Sequence, residues 1–528
     1  MASLCWQPVV AQTTTLPEIQ VSADQRLAES WQPIGNRSLI NAEQINQAAP
    51  RHPAELLNQL PGVWISRGDG QEHLTAIRSP VLTGPGACGA FLLLEDGIPI
   101  RPAGFCNINN LFELHYEQAG ELELIRGPAS ALYGGNALHG VINQRSAPLV
   151  PRSTTRLRVE TGHDDYLRLG YSVNRPDALG GWRLDYSGSR DNSWRDNAGY
   201  NQQKLTLQRF NNSSSWQIRS RLSGTWLEQE TAGFVFGNEA YKEPGLRRDN
   251  FNPEAFRNAW SLRASTEFSR ETVDGRWVSF TPYLRSSRME FLQHFLPEKS
   301  LEQNSQQSAG LLTSIAGSFG QMHSWSWHNQ IEIADLHLQE IQQQPVTIPS
   351  AFLQETRPPG THYDYDVSSL LAATHINVDW QLAERLRLVT SGRLEYLRYD
   401  YDNRFLDGNS KPDGTPCGFG GCRFSRPADR DDHFNNIGAR VGLNYTDHRQ
   451  AEWYLSGGAG FRPPQANELY RLQSGQTVAD LDSETIYSLE LGQRRQLGRL
   501  TYEITLFAMD KENVILRDAT GSNLSNGK

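Results

Sequence analysis

Residues 121–143 read ELELIRGPASALYGGNALHGVIN, and the fold of the whole chain turns on how they are read. Glu121-Leu122-Glu123-Leu124-Ile125 alternates polar and apolar side chains, as a strand with one buried face does. Arg126-Gly127-Pro128 turns the chain and a short helical segment comes next. Gly134-Gly135 and Gly140 then lead into a second strand, Val141-Ile142-Asn143. Glycine suits corners that need positive φ or close backbone approach, and Pro128 suits the first turn of a helix. Alone, this is a generic α/β unit. The residues downstream of it decide which kind.

From about Thr154 onward, segments of roughly 9 to 15 residues alternate in polarity between loops. Examples are Arg156-Leu157-Arg158-Val159-Glu160, Lys204-Leu205-Thr206-Leu207-Gln208 and Thr501-Tyr502-Glu503-Ile504-Thr505-Leu506-Phe507. About fifteen such segments run to Leu516, a dyad pattern expected of a transmembrane antiparallel β-barrel. A soluble sandwich alternates too, but rarely this often and with loops this unequal. Short connections at 177–181 and Gly498 contrast with long ones at 229–256, 341–366 and 402–432. That asymmetry fits periplasmic turns and extracellular loops.

Composition agrees. The 528 residues exceed one ordinary soluble domain, and 13 Trp and 18 Tyr accompany a mean hydropathy of −0.56. Beyond the extreme N-terminus no apolar run is long enough for a spanning helix, so a one-sided apolar barrel or a large soluble β-protein remains. The net charge of −9 argues against a nucleic-acid partner. Residues 1–11 resemble the end of a secretory signal without its charged start, which would leave Cys5 in the leader. The natural pairings in an oxidising compartment are Cys88–Cys106 and Cys417–Cys422. Zinc at the CGFGGC segment would need ligands beyond His433. Residues 24–150 read as a mixed α/β domain, with a helix from Gln47 to Leu60 and strands at Val63–Ser66, Ala90–Leu94 and Gly120–Ile125. Ahead of it, in segment 12–23, Leu16-Pro17-Glu18-Ile19-Gln20-Val21 alternates beside the terminus. It could be an ordinary first strand, or an extended segment able to add to a partner's sheet edge.

Together these residues resemble the TonB-dependent outer-membrane receptors. The matching segments are the TonB-box-like Leu16–Ala23, Leu60-Pro61-Gly62-Val63, Leu94-Glu95-Asp96-Gly97, Ile125-Arg126-Gly127-Pro128 through Tyr133-Gly134-Gly135 to Gly140-Val141-Ile142-Asn143, and Phe461-Arg462-Pro463-Pro464 with Glu468-Leu469-Tyr470. The resemblance implies a plug domain at 24–150 inside a barrel at 151–528. The family's barrel has about 22 strands, so roughly six are expected to be absent, and the chain reads as truncated at both ends.

The resemblance further implies import of a scarce ligand across the outer membrane of a Gram-negative bacterium. A TonB energy-transducing protein would pair with Leu16, Pro17, Glu18, Ile19, Gln20 and Val21. A ferric siderophore is the leading ligand, bringing its own Fe³⁺, with no resident cofactor or metal site. Cobalamin or another metal complex is the alternative within the family, and a passive porin or adhesin the alternative outside it. Copper is disfavoured by the presence of only 4 Met. His73, His115 and His139 lack ligand spacing, and the chain carries no nucleophile elbow, HExxH, Walker loop or CxxC pair. The plug apices 80–89 and 101–110, tied by Cys88–Cys106, are expected to turn Arg101, Phe105, Asn107 and Asn109 outward to an anionic chelate. Arg126 is expected to lie between plug and barrel and bond carboxylates. Gly127, Pro128, Tyr133, Gly134 and Gly140 shape the plug around it, and Glu121 and Glu123 are expected to pair with barrel arginines.

Overall fold

The computed structural model describes residues 34–81, 90–105, 109–213, 215–320, 322–517 and 524–527. The leader, Leu16–Val21, Asn107 and the Cys88–Cys106 pair lie outside them.

Two sheets dominate. The smaller, in the plug, is built from β1 (Arg37–Asn41), β4 (Phe91–Glu95), β5 (Ile98–Pro99), β6 (Ala119–Arg126) and β7 (Gly140–Ser146), in the order β1-β6-β7-β4-β5. A separate hairpin joins β2 (Val63–Arg67) to β3 (His73–Ile77). Only β4 and β7 run parallel. Apolar groups cover both faces of this sheet. Leu124 and Ile142 pack with Ile65, Ile77 and Leu111, whereas Ile125 and Val141 pack with Leu92 and Leu94. Each such side chain contributes about 1.5–3 kcal/mol by leaving water.

The helix expected from Gln47 to Leu60 is instead two, Ala42–Ala48 and Ala54–Leu57. Ala49, at φ 46°, closes the first in the left-handed region, and Pro50 and Pro53 forbid continuation. Asn41 and Gln44 form a capping box at its start.

The larger sheet has fifteen strands, from Thr154–Thr161 to Leu500–Glu512, each antiparallel to its sequence neighbour among these strands. Its polarity is the reverse of a soluble protein's. On the strand Tyr200–Asn212, Gln202, Lys204, Thr206 and Gln208 are buried while Leu205 and Leu207 are 41% and 39% exposed. Apolar groups face outward, toward lipid, and polar groups face the plug. Connections on one rim are tight hairpins such as 178–179 and 384–385. On the other lie 162–166, 192–199, 231–255, 293–300, 343–359, 404–429 and 463–483. The strand Gly360–Ala383, 24 residues long, exceeds the roughly 9–11 residues needed to span a bilayer.

Candidate functional site: the plug held in the barrel

The 121–143 stretch is the element that docks. Gly127 and Gly134 take φ of 78° and 88°, so the short helix Ser130–Tyr133 is set between two sharp corners. Against it the barrel wall is bare. A Cβ on Gly460 would lie 2.7 Å from Pro128 Cβ, and one on Gly438 would lie 3.0 Å from the Ala131 nitrogen. The Ser130 hydroxyl accepts from the Phe461 amide at 3.1 Å and donates to its carbonyl at 3.2 Å. Arg440 donates to the Pro128 carbonyl at 2.7 Å, and Gln465 donates to Asn136 at 2.9 Å. Behind this contact the Phe-Arg-Pro-Pro motif is fixed by Arg462, whose guanidinium bonds both Glu468 oxygens at 3.0 and 3.1 Å and also Glu484.

Arg126 is buried as expected, but its partners differ. It donates to the Pro61 carbonyl and the Asn36 side chain, and neighbouring Arg78 takes the barrel carboxylate Glu490. Burial, with Arg78 beside it, pushes Arg126 down to about 10. Glu121 and Glu123 also find other partners than expected. Glu123 pairs with Arg37 and, at 3.0 Å, with Arg145, and Glu121 faces Arg145 at 3.6 Å. All of these partners belong to the plug's own sheet, where β1 and β7 flank β6 and lie closer than any barrel strand.

A second joint lies on the strands Tyr200–Asn212, Gln217–Glu230 and Phe256–Glu271. Glu95 accepts from Arg263 at 3.0 Å and Ser223 at 2.8 Å, with Arg221 at 3.8 Å. Burial alone would raise its pKa, but Arg263 and Arg221 outweigh that and hold the carboxyl well below the usual range. His115, fully buried, bridges Thr206 at 2.7 Å and Thr225 at 2.9 Å. Burial pushes it down to about 3, opposed only in part by Glu95, so it stays neutral. Lys204 donates to the Leu114 carbonyl at 2.9 Å and to Glu117 at 3.2 Å.

The expected ligand residues do not face outward. Arg101 is buried and paired with Glu113. Phe105 is 2% exposed, its ring centroid 6.1 Å from that of Tyr399. Asn109, also buried, accepts from the His73 amide at 2.8 Å. A cavity of about 70 Å³, lined among others by Arg101, Phe105, Tyr133, Glu332, Arg393 and Glu395, separates plug from wall here. It is large enough for water.

Above Phe105, on the long-loop rim, sits an aromatic cluster that sequence reading missed: Tyr363, Tyr365, Tyr399, Tyr401, Tyr470 and Phe424. Tyr401 stacks on Tyr470 with centroids 4.2 Å apart. The signal was present, since Tyr-Asp-Tyr-Asp occurs at both 363–366 and 399–402 and a strand buries every second residue. The long loops are tied to one another, Lys299 to Glu254 at 2.7 Å, Arg357 to Glu298 at 3.1 Å and Lys411 to Glu355 at 3.0 Å. A disulfide joins Cys417 to Cys422 beside the last tie. Among the described residues no three His, Cys, Asp or Glu side chains cluster as a metal site.

Residues 146–527 match the family model described as TonB dependent receptor-like, beta-barrel, and 32–141 match the TonB-dependent Receptor Plug Domain. The chain belongs to the TonB-dependent receptor family. It is therefore a TonB-dependent outer-membrane receptor, from a family of receptors and transporters rather than enzymes. This receptor is 24% identical over 507 residues to the vitamin B12 transporter BtuB of Vibrio vulnificus strain YJ016, covering 93% of this chain and 70% of that one. It superposes on the unliganded ferric citrate transporter FecA with a TM-score of 0.73 at 16% identity, covering 93% of this chain and 72% of that one. On the copper transporter OprC the TM-score is 0.69 at 14% identity, with 94% and 75% covered. Neighbours named for such different cargoes share the receptor's fold, so the fold does not specify the ligand.

Proposed function

We propose that this receptor imports a scarce, bulky metal chelate, with a ferric siderophore as the leading class. The observation that carries gated import over passive diffusion is the packed lumen. Plug and wall bond on strands spread along the sheet, from Thr154–Thr161 through Trp277–Leu292, at Leu386–Asn403, and from Arg430–Thr446 onward. Passage of a bulky chelate along the face of the wall that the plug occupies calls for rearrangement of the plug. Leu16–Val21 is assigned to pair with the TonB protein as an added strand. Ligand bound outside drives this only by favouring the state in which that segment is offered.

Cobalamin is the second reading, favoured by the BtuB relative that spans 93% of the chain. Deleting residues 16–23 tests the mechanism. An importer loses uptake and keeps ligand binding, whereas unchanged uptake would establish a passive pore. Growth of a receptor-deleted strain complemented with this chain, on ferric siderophores and on cyanocobalamin, separates the two ligands.

A further inference from the structure

The expectation of an anionic ligand rests on arginine at the plug apices, and the electrostatics of the mouth point the other way. In sequence, the apices 80–89 and 101–110 carry one charged residue between them, Arg101, and Glu113 neutralises it. The seven connections on the long-loop rim, 162–166, 192–199, 231–255, 293–300, 343–359, 404–429 and 463–483, hold eleven Lys or Arg against fifteen Asp or Glu, a net of −4.

Most of the basic groups are also committed, Arg247 on the loop 231–255 being the exposed exception. Beyond the three loop-to-loop ties, Arg471 pairs with Glu302 at 3.0 Å and with Glu340, and Arg404 pairs with Asp366 at 2.7 Å. Arg426 is 2% exposed and spends its guanidinium on the carbonyls of Leu406, His362 and Ser410. Arg423 and Arg517 are engaged as well. Exposed pairs are individually weak, so an anion could displace one of them. What they cancel is the long-range field, and that field is what gathers a polyanion into a cleft. Apart from Arg247, the uncommitted contact surface argued from here is aromatic. On the loop 231–255, Phe234 and Phe236 are 76% and 79% exposed between two glycines, and Tyr241 is 68% exposed.

We infer that this receptor's ligand is a chelate of zero or positive net charge, captured by aromatic faces, and not a polyanion. The inference rests on the import reading above and narrows it. The test is binding to the purified full chain, and TonB-dependent uptake by cells, of four probes: a neutral ferric trihydroxamate, a cationic ferric trihydroxamate bearing a free amine, a trianionic ferric tricatecholate and cyanocobalamin. The expected result is uptake of the neutral or the cationic ferric chelate. For a neutral chelate, affinity should change less than about twofold between low and physiological salt. Phe234→Ala with Phe236→Ala should weaken binding about tenfold while the barrel stays folded. Glu243→Lys with Asp249→Lys should improve tricatecholate binding. Tricatecholate bound more tightly than the neutral probe by the unaltered chain would overturn the charge inference and leave siderophore import standing. Uptake of cyanocobalamin alone would uphold the charge inference and refute the ferric reading. Uptake of none would overturn both.

Discussion

Four buried histidines make the plug acid-labile, and the effect can be worked through. His73 and His139 are pushed down to about 4, His115 to about 3 and His52 to about 2, in every case chiefly by burial. Each is neutral when folded, and each regains a pKa near 6.5 when the plug unfolds. The unfolded state therefore binds more protons below pH 6.5, and stability falls as pH falls. Between pH 6.5 and 5 that amounts to about 1.6 kcal/mol per histidine, since the unfolded imidazole is already half protonated at pH 6.5, or about 6.5 kcal/mol for all four, against a typical domain stability of about 5–15 kcal/mol. Glu95, Glu117 and Glu123 are held low, and their contributions are lost only below the ordinary carboxylate range. They do not offset the histidines in this window. The assay is urea unfolding of the detergent-solubilised receptor at pH 7 and pH 5, with amide exchange in β3, β4 and β6 reporting the plug separately from the barrel. His115→Asn, which keeps a polar group between Thr206 and Thr225, should remove about one quarter of the pH dependence. A plug whose stability shifts by under about 1 kcal/mol across this range would refute the reasoning.

The remaining predictions concern the joints. Glu95→Gln leaves Arg263 and Arg221 facing a neutral group, but Glu113 stands 3.7 Å from Arg263 and the Ser223 bond survives. The cost should lie at the low end for a broken buried pair, about 3 kcal/mol, seen as roughly 100-fold faster opening of β4 amides. Gly460→Ala places a Cβ 2.7 Å from Pro128. It should cost about 1–3 kcal/mol and impair uptake, while heat-modifiable mobility on a gel shows the barrel intact. Replacing Cys417 and Cys422 by Ser opens a closed loop worth about 2 kcal/mol in chain entropy. Faster trypsin cleavage after Arg423, with the barrel melting temperature unchanged, would confirm that the loss is local.

Much of this architecture is legible because its period is. Lys204-Leu205-Thr206-Leu207-Gln208 can form only a strand with one apolar face, and repetition of that pattern past Thr154 calls for a barrel whose polar face lines a filled lumen. The corners of the 121–143 stretch are equally plain, because Gly127 and Gly134 hold positions that strain any side chain. The break at Ala49-Pro50 was available from proline alone. Pairing is another matter. Lumen and plug both carry arginines and carboxylates in numbers, so Glu123 has several candidate partners in sequence, and only the adjacency of β1 and β7 selects Arg37 and Arg145. Arg78 and Glu490 are 412 positions apart, and nothing local links them.

The same ambiguity hides the true partner of Arg101. An arginine next to a proline and glycine on an apex looks available, yet Glu113 lies twelve residues on, in the short helical turn Asn110–Glu113 that folds back beneath it. A cation's availability is a property of its surroundings, which composition near it does not report. Applied across the mouth, that criterion leaves the loops with an acidic excess and, Arg247 apart, engaged arginines, whereas Phe234 and Phe236 stand in solvent. A ligand recognised here gains from burying aromatic surface, which is insensitive to salt, and gains nothing from a negative charge that the loops would repel.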